Sequence, residues 1–129
     1  MTQAAILCVD DERVVLQTLK EQLRRHFGSR FLYETACDAT TAWEVIDEMC
    51  SERVEILVIV SDWLMPGIRG DEFLAQVHQR YPHIACVMLT GQADTAAIER
   101  ARQDAALHAC LHKPWDEGEL LRTVEAALA

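Results

Sequence analysis

The chain has 129 residues and a mass of 14.6 kDa, and its 21 Asp/Glu against 12 Lys/Arg give a formal net charge of −9. A chain of this length suits one compact domain that buries roughly 65–70% of its unfolded surface. With half its residues hydrophobic and only 5 Gly and 3 Pro, it fits neither a disordered nor a fibrous protein. Its acidity also argues against gripping nucleic acid or an anionic membrane by charge.

The five cysteines (Cys8, Cys37, Cys50, Cys86 and Cys110) form no C-x-x-C pair and leave one over. Three of them sit in apolar runs, where a free thiol behaves as a small hydrophobe, so a reducing, cytoplasmic compartment is expected. Met1-Thr2-Gln3 lacks the charged and apolar regions of a signal peptide, and no apolar run approaches the ~20 residues of a membrane span. The reading is of a soluble protein without a membrane partner.

Along the chain the hydrophobic pattern alternates between two periods. Ala4 to Val9 reads as a buried strand. Residues 12–27 place Val15, Leu16, Leu19, Leu23 and Phe27 on one helical face, which Gly28 stops. Phe31 to Ala36 suits an edge strand because it carries Glu34. Ala42, Val45, Ile46 and Met49 then recur at helical spacing. The uninterrupted, β-branched run Ile56 to Val60 predicts a strand covered on both faces, as in a parallel sheet.

Met65 to Gly70 reads as a loop, and Phe73, Leu74 and Val77 mark a third helix ended by Tyr81-Pro82. Ile84 to Leu89 is the fourth strand. Asp94 can cap a fourth helix whose inner face is Ala97, Ile98, Ala101 and Ala105. Leu107 to Leu111 is the fifth strand. Asp116 and Glu119 open the last helix with a capping-box-like pair, and Leu120, Leu121, Val124 and Leu128 face inward. Five strand–helix repeats with helices on both faces make a doubly wound α/β domain spanning residues 1–129.

In an open α/β sheet, ligands bind outside the carboxyl ends of the strands. Those ends carry Asp10, Asp11 and Glu12 after the first strand, Asp62 after the third, Thr90 on the fourth and Lys113-Pro114 after the fifth. With strand order 2-1-3-4-5 they converge on one acidic pocket holding one ammonium and one hydroxyl. Clustered carboxylates repel and raise one another's pKa. A hard divalent cation such as Mg²⁺ relieves this, because it accepts one or two carboxylates and phosphate oxygens. An Asp carboxylate is itself a competent nucleophile toward phosphorus, and cation, ammonium and hydroxyl suit the charge of a phosphoryl group in transfer.

Taken together, Val9-Asp10-Asp11-Glu12, Ser61-Asp62-Trp63-Leu64-Met65-Pro66-Gly67, Leu89-Thr90-Gly91 and Lys113-Pro114-Trp115 resemble the receiver domain of two-component response regulators. The resemblance covers essentially the whole chain and implies the five-stranded flavodoxin-like topology. It implies that Asp62 is the phosphoacceptor, and that Asp11 and Asp62 hold Mg²⁺ with the backbone carbonyl of Leu64, Asp10 assisting directly or through water. It also implies that Lys113 pairs with the phosphoryl group, that Thr90 turns inward to hydrogen-bond it, and that the Lys113–Pro114 bond is cis. The implied partners are a sensor histidine kinase or phosphotransfer protein and an output domain or effector protein, with dimerisation left open. No external substrate turnover is implied.

Two departures stand out. The position three residues before the Lys, usually Tyr or Phe in receivers, is Cys110. The two positions that tune phosphate lifetime are Leu64, which cannot orient a water by hydrogen bonding, and Gln92, which can. The threonine and lysine motifs are similar to those of receivers attached to cyclic-di-GMP phosphodiesterase (HD-GYP) modules, hydrogenase-type transcription regulators and hybrid kinases. Since the sequence stops near the expected end of the fifth helix, either a stand-alone receiver or one cut from a longer protein is expected.

Blander readings exist for each residue. Asp10 and Asp11 could cap the first helix, and Lys113 could be an ordinary solvated lysine. The three tryptophans read as packing residues, with Trp63 at the pocket mouth, and the five histidines show no metal-site spacing. The Ala-rich fourth helix is either simply a good helix former or an element that is cheap to shift. Among other functions, a phosphatase with an Asp nucleophile wants a second acid two residues on, where Leu64 stands. An FMN carrier needs a hydroxyl- and Gly-rich loop where Asp10-Asp11-Glu12 stands. A pseudo-receiver acting only as an interaction module is the remaining alternative.

Overall fold

The computed structural model describes residues 3–91 and 95–129. Five parallel strands, β1 (Gln3–Val9), β2 (Leu32–Ala36), β3 (Val54–Asp62), β4 (Ala85–Thr90) and β5 (Ala109–His112), form one sheet in the order β2-β1-β3-β4-β5. Five helices alternate with them: α1 (Arg13–Phe27), α2 (Ala39–Ser51), α3 (Gly70–Arg80), α4 (Thr95–Asp104) and α5 (Glu117–Leu128). This is the doubly wound architecture expected from the alternating periods, in the flavodoxin-like topology that the family resemblance implies. No helix among the described residues is long and apolar enough to cross a membrane.

The sheet divides the core in two. On one face, Leu16, Leu19, Leu23 and Phe27 of α1 and Leu120 and Val124 of α5 pack on Ile6, Cys8, Val58, Val60 and Leu89. On the other, α2, α3 and α4 pack on Ala5, Leu7, Val9, Ile59 and Met88. The central strands are apolar along both faces because both are covered. Burial pushes the thiols of Cys8 and Cys86 up to about 12, as expected of cysteines acting as small hydrophobes.

Element ends follow local chemistry. Asp38 caps α2 by accepting from the Thr41 N–H at 2.7 Å, and that bond holds its carboxyl below the usual range. Asp116 caps α5 by accepting from the Glu119 N–H at 2.9 Å. The first helix is entered differently from the simple capping reading. Its N-cap is Glu12, with no side-chain cap bond, while Asp10 Oδ1 accepts from the Glu12 N–H at 2.8 Å. Asp94 and Gln92 lie outside the described residues.

Several boundaries move from the sequence expectation. A 3-10 turn over Gly28–Arg30 delays β2 to Leu32. β3 begins at Val54, which pairs with Gln3, and runs through Asp62 itself. β5 starts at Ala109, after Ala106 takes a positive φ of 49° and the His108 N–H bonds to the Cys86 carbonyl at 2.8 Å.

The loop after β3 closes on Gly70, the first residue of α3. Its N–H donates to the Trp63 carbonyl at 2.6 Å, and a Cβ built there would overlap the carbonyl of Asp62. Only glycine lets the chain turn back so tightly over the end of β3. Gly70→Ala should therefore displace the 62–70 loop and cost about 1–3 kcal/mol, the usual range for overpacking. Urea denaturation of the purified variant measures this; an unchanged midpoint would show that the loop absorbs the methyl group.

Candidate functional site

The strand order brings four of the strands' carboxyl ends together. Asp10 follows β1 and is fully buried, its backbone N–H bonded to the Ala36 carbonyl at 3.1 Å. Asp62 ends β3, only 6% exposed, opposite Leu89 of β4. Thr90 ends β4, buried, and its carbonyl accepts from the Lys113 N–H at 2.9 Å. The Lys113–Pro114 bond is cis. From there the Lys113 ammonium reaches Asp10 Oδ2 at 2.8 Å and Asp62 Oδ1 at 3.1 Å. It is no free surface lysine.

Asp11 completes the acidic set. One carboxylate oxygen each from Asp10, Asp11 and Asp62 lies within 4.8 Å of the others. Asp11 is exposed whereas the other two are buried. Among the described residues this is the one group of three or more His, Cys, Asp or Glu gathered closely enough to hold a metal ion. The donors are all hard oxygens, the type that divalent cations of the Mg²⁺ class take. No histidine joins them; His26 instead pairs with Glu125 at 3.0 Å.

These groups face an open cavity of about 280 Å³ lined by Asp11, Glu12, Asp62, Trp63, Leu64, Gly91 and Lys113. Leu64 is half exposed on its rim, and Trp63 lines the mouth as expected. Glu12 lies on the cavity wall with the strand-end groups it was expected to join, and Gly91, a motif residue with no expected role, lines it too. Cys110 lies half-buried in β5 against the core of the α2–α3–α4 face.

The electrostatics are in tension. Burial raises the Asp62 pKa first, the charge of Asp10 adds to it, and Asp11 adds a little more, while Lys113 opposes them. The net direction is upward. For Lys113, partial burial pulls the pKa down, but hydrogen bonds to Asp10 and Asp62, with their charges, outweigh it. The ammonium is held above its ordinary value and stays charged.

A support missed by motif reading is Trp115. Its indole N–H donates to Gln22 of α1 at 2.9 Å, tying the β5–α5 loop that follows Lys113 to the neighbouring helix. The Trp beside Lys113-Pro114 was visible, but its partner 93 residues away was not.

Comparison with known proteins agrees with this geometry. A family model, the response regulator receiver domain, matches residues 6–125. The hydrogenase transcriptional regulatory protein HoxA of Cupriavidus necator is 32% identical over 126 residues, 98% of this chain and 24% of that protein. The DNA-binding transcriptional regulator NtrC of Escherichia coli K12 is 34% identical over 129 residues, all of this chain and 26% of that protein. The chain thus spans about a quarter of the length of these two relatives. A solved signal receiver domain of an HD domain-containing protein from Pseudomonas fluorescens Pf-5 superposes with a TM-score of 0.86 and 31% identity, covering 99% of this chain and 88% of that one. With the acidic cluster at the strand ends of such a sheet, the chain belongs to the response regulator receiver family, whose members act as phosphoacceptors rather than turn over a separate substrate.

Proposed function

We propose that Asp62 accepts a phosphoryl group from a phosphohistidine of a sensor kinase or phosphotransfer protein, in a Mg²⁺-dependent step, and that the modified chain changes its contacts with an output domain or effector. The observation that carries this reading is the single lysine bridging two buried carboxylates, 2.8 Å from Asp10 and 3.1 Å from Asp62, and lining an open cavity with Asp62. Three carboxylates and one ammonium leave the cluster two negative charges in excess, which one divalent cation offsets. Asp10, Asp11, Asp62 and the Leu64 carbonyl would hold that ion; it would supply charge neutralisation and orient the phosphoryl oxygens.

The chain's own groups account for the rest. A carboxylate oxygen of Asp62 forms the bond to phosphorus as the P–N bond to the donor imidazole breaks, and the imidazole leaves with the electron pair. Lys113 is already aimed at Asp62 and would follow the charge onto the phosphoryl oxygens. Thr90, buried one position beyond the level of Asp62, would supply its hydroxyl. Half-exposed Leu64 on the rim offers the donor an apolar contact beside the cavity. The five free cysteines support a reducing cytoplasmic setting. In a longer protein of the HoxA or NtrC kind, the partner of the switched state would be an attached output domain.

One observation favours a weaker switch. Cys110 carries no aromatic ring to follow Thr90 inward, so the alternative is an interaction module whose surface changes little on modification. A change in oligomeric state or partner affinity on addition of beryllofluoride separates the two readings.

Incubation with acetyl phosphate and Mg²⁺ should give a phosphoryl adduct by intact-mass spectrometry. EDTA and Asp62→Asn should each abolish it; an adduct that survives Asp62→Asn would overturn the assignment of the acceptor.

Stability supplies an independent check. Because burial and Asp10 outweigh Lys113 at Asp62, the folded chain holds that proton more tightly than the unfolded chain does. Stability from this group is therefore complete below the ordinary carboxylate pKa of about 4 and is lost as pH rises through the raised value. In EDTA, Asp62→Asn should melt above the parent at pH 7, and the difference should close near pH 3.5–4. Saturating Mg²⁺ should stabilise the parent by about 2.7 kcal/mol at a hundredfold excess over Kd, and the variant less.

Lys113→Met should destabilise the metal-free chain by about 3 kcal/mol in urea, since it leaves Asp10 buried without its cation. It should also slow adduct formation. A neutral effect on both would return Lys113 to the status of a surface charge.

A further inference from the structure

Helix α1 and the turn after it carry five of the chain's twelve Lys/Arg and only one of its 21 acids, Glu21, between residues 13 and 30. On a chain with a net charge of −9 this is a pronounced local reversal. Arg30, in the turn, stacks over Phe27 and Phe31, and the other four cations fall on two faces of α1. Arg25 pairs with Glu117 of α5 at 2.7 Å, and His26 on the same side pairs with Glu125. Arg13, Lys20 and Arg24 lie instead within one helical stripe, which also holds Gln17. Among the described residues none of these three forms an ion pair.

Helix-dipole complementarity explains part of the pattern but not all of it. Arg24 sits in the last turn of α1, where positive charge is favoured, whereas Arg13 sits in the first, where it is not. The stripe faces the β2 side. Two surface cavities lie along it: about 370 Å³ with Arg13, Lys20 and Thr35 in its lining, and about 520 Å³ with Arg24, Leu32 and Glu34 in its lining. β2 pairs only with β1, so among the described residues its outer edge has no strand partner, and Leu32 on it is 38% exposed.

We propose that this edge is a docking site for an extended acidic peptide segment of a partner protein, added as a strand beside β2 with its carboxylates on the Arg13–Lys20–Arg24 row. The dimensions agree. Eleven helical steps from Arg13 to Arg24 span about 16 Å, and five extended residues, the length of β2, span about the same. Side chains of an added strand alternate between faces, so acids at every second residue would meet the cations. On the opposite face α2 also packs on β2 and carries Glu44, Asp47 and Glu48 with no base. The intervening positions should therefore be uncharged. Alternation, rather than total charge, is the recognised feature.

The test uses the full chain and a fluorescein-labelled peptide of alternating Glu and Val, with a block peptide of the same composition as comparator. Anisotropy should show saturable, salt-sensitive binding several-fold tighter for the alternating peptide. Amide shifts in ¹⁵N spectra should concentrate at residues 32–37. Lys20→Glu should weaken binding about fivefold or more, and the pair Arg13→Glu with Lys20→Glu should abolish it, while Arg100→Glu on α4 should leave it intact. The site does not depend on the phosphoacceptor, so Asp62→Asn should bind as the parent does. Equal binding of the block peptide, displacement by duplex DNA at equal charge, insensitivity to Lys20→Glu, or a signal that only follows self-association of the chain would each overturn the proposal.

Discussion

Three carboxylate oxygens within 4.8 Å of one another, two of their residues buried, set the terms for the rest of this structure. At an effective dielectric constant of about 20, each such pair repels by roughly 3–4 kcal/mol. A fold does not hold that arrangement unless something opposes it, and Lys113 is what opposes it here. The position of that lysine depends in turn on β5 lying beside β4, on the backbone bond from Lys113 to Thr90, and on Trp115 being held to Gln22. The sheet order, the last strand and the loop after it thus converge on placing one ammonium. A single positive charge leaves the cluster under-neutralised, which is the condition a site needs if it is to respond to a cation and then to a phosphoryl group.

Much of this was legible from the amino-acid order, for identifiable reasons. A parallel strand covered on both faces reads as an unbroken apolar run, so the central strands and the polar residues at their carboxyl ends could be located without a structure, while Glu34 marked β2 as an edge. Boundaries drifted where tertiary pairing overrode local pattern. Glu55 interrupts the apolar pattern ahead of Ile56, yet pairing of Gln3 with Val54 and of Ala4 with Glu55 draws both into β3. Leu107 looks like strand but belongs to the turn that Ala106 creates.

The site was legible as a set of residues and illegible as an arrangement. Nothing in an Asp-Asp pair says that Asp10 is fully buried and locks the loop through the Glu12 N–H while Asp11 stays in solvent. Gly70 looked like ordinary loop punctuation, because the reason for it is the Asp62 carbonyl across the turn. The α1 stripe was open to reading, since residues 13, 17, 20 and 24 share a helical face. The net charge drew attention to acids instead.

The helices grip the sheet unequally. Helix α1 plants Leu16, Leu19, Leu23 and Phe27 in the core, and α5 is lashed to it through Arg25–Glu117 and His26–Glu125. Helix α4 buries only Ala97 and Ala101 within its length. A methyl or methylene contributes about 0.8 kcal/mol on burial, against about 1.5–3 for a Leu or Phe side chain, so α4, with partly buried Ile98 as its one large apolar contact, is held more weakly than α1. The contrast lies in one helix and not in its layer, since α2 and α3 beside it bury Ile46, Met49, Phe73, Leu74 and Val77. Of the five helices, α4 is thus the one whose displacement uncovers the least large apolar surface, while α1, entered from the pocket residue Glu12, stays anchored.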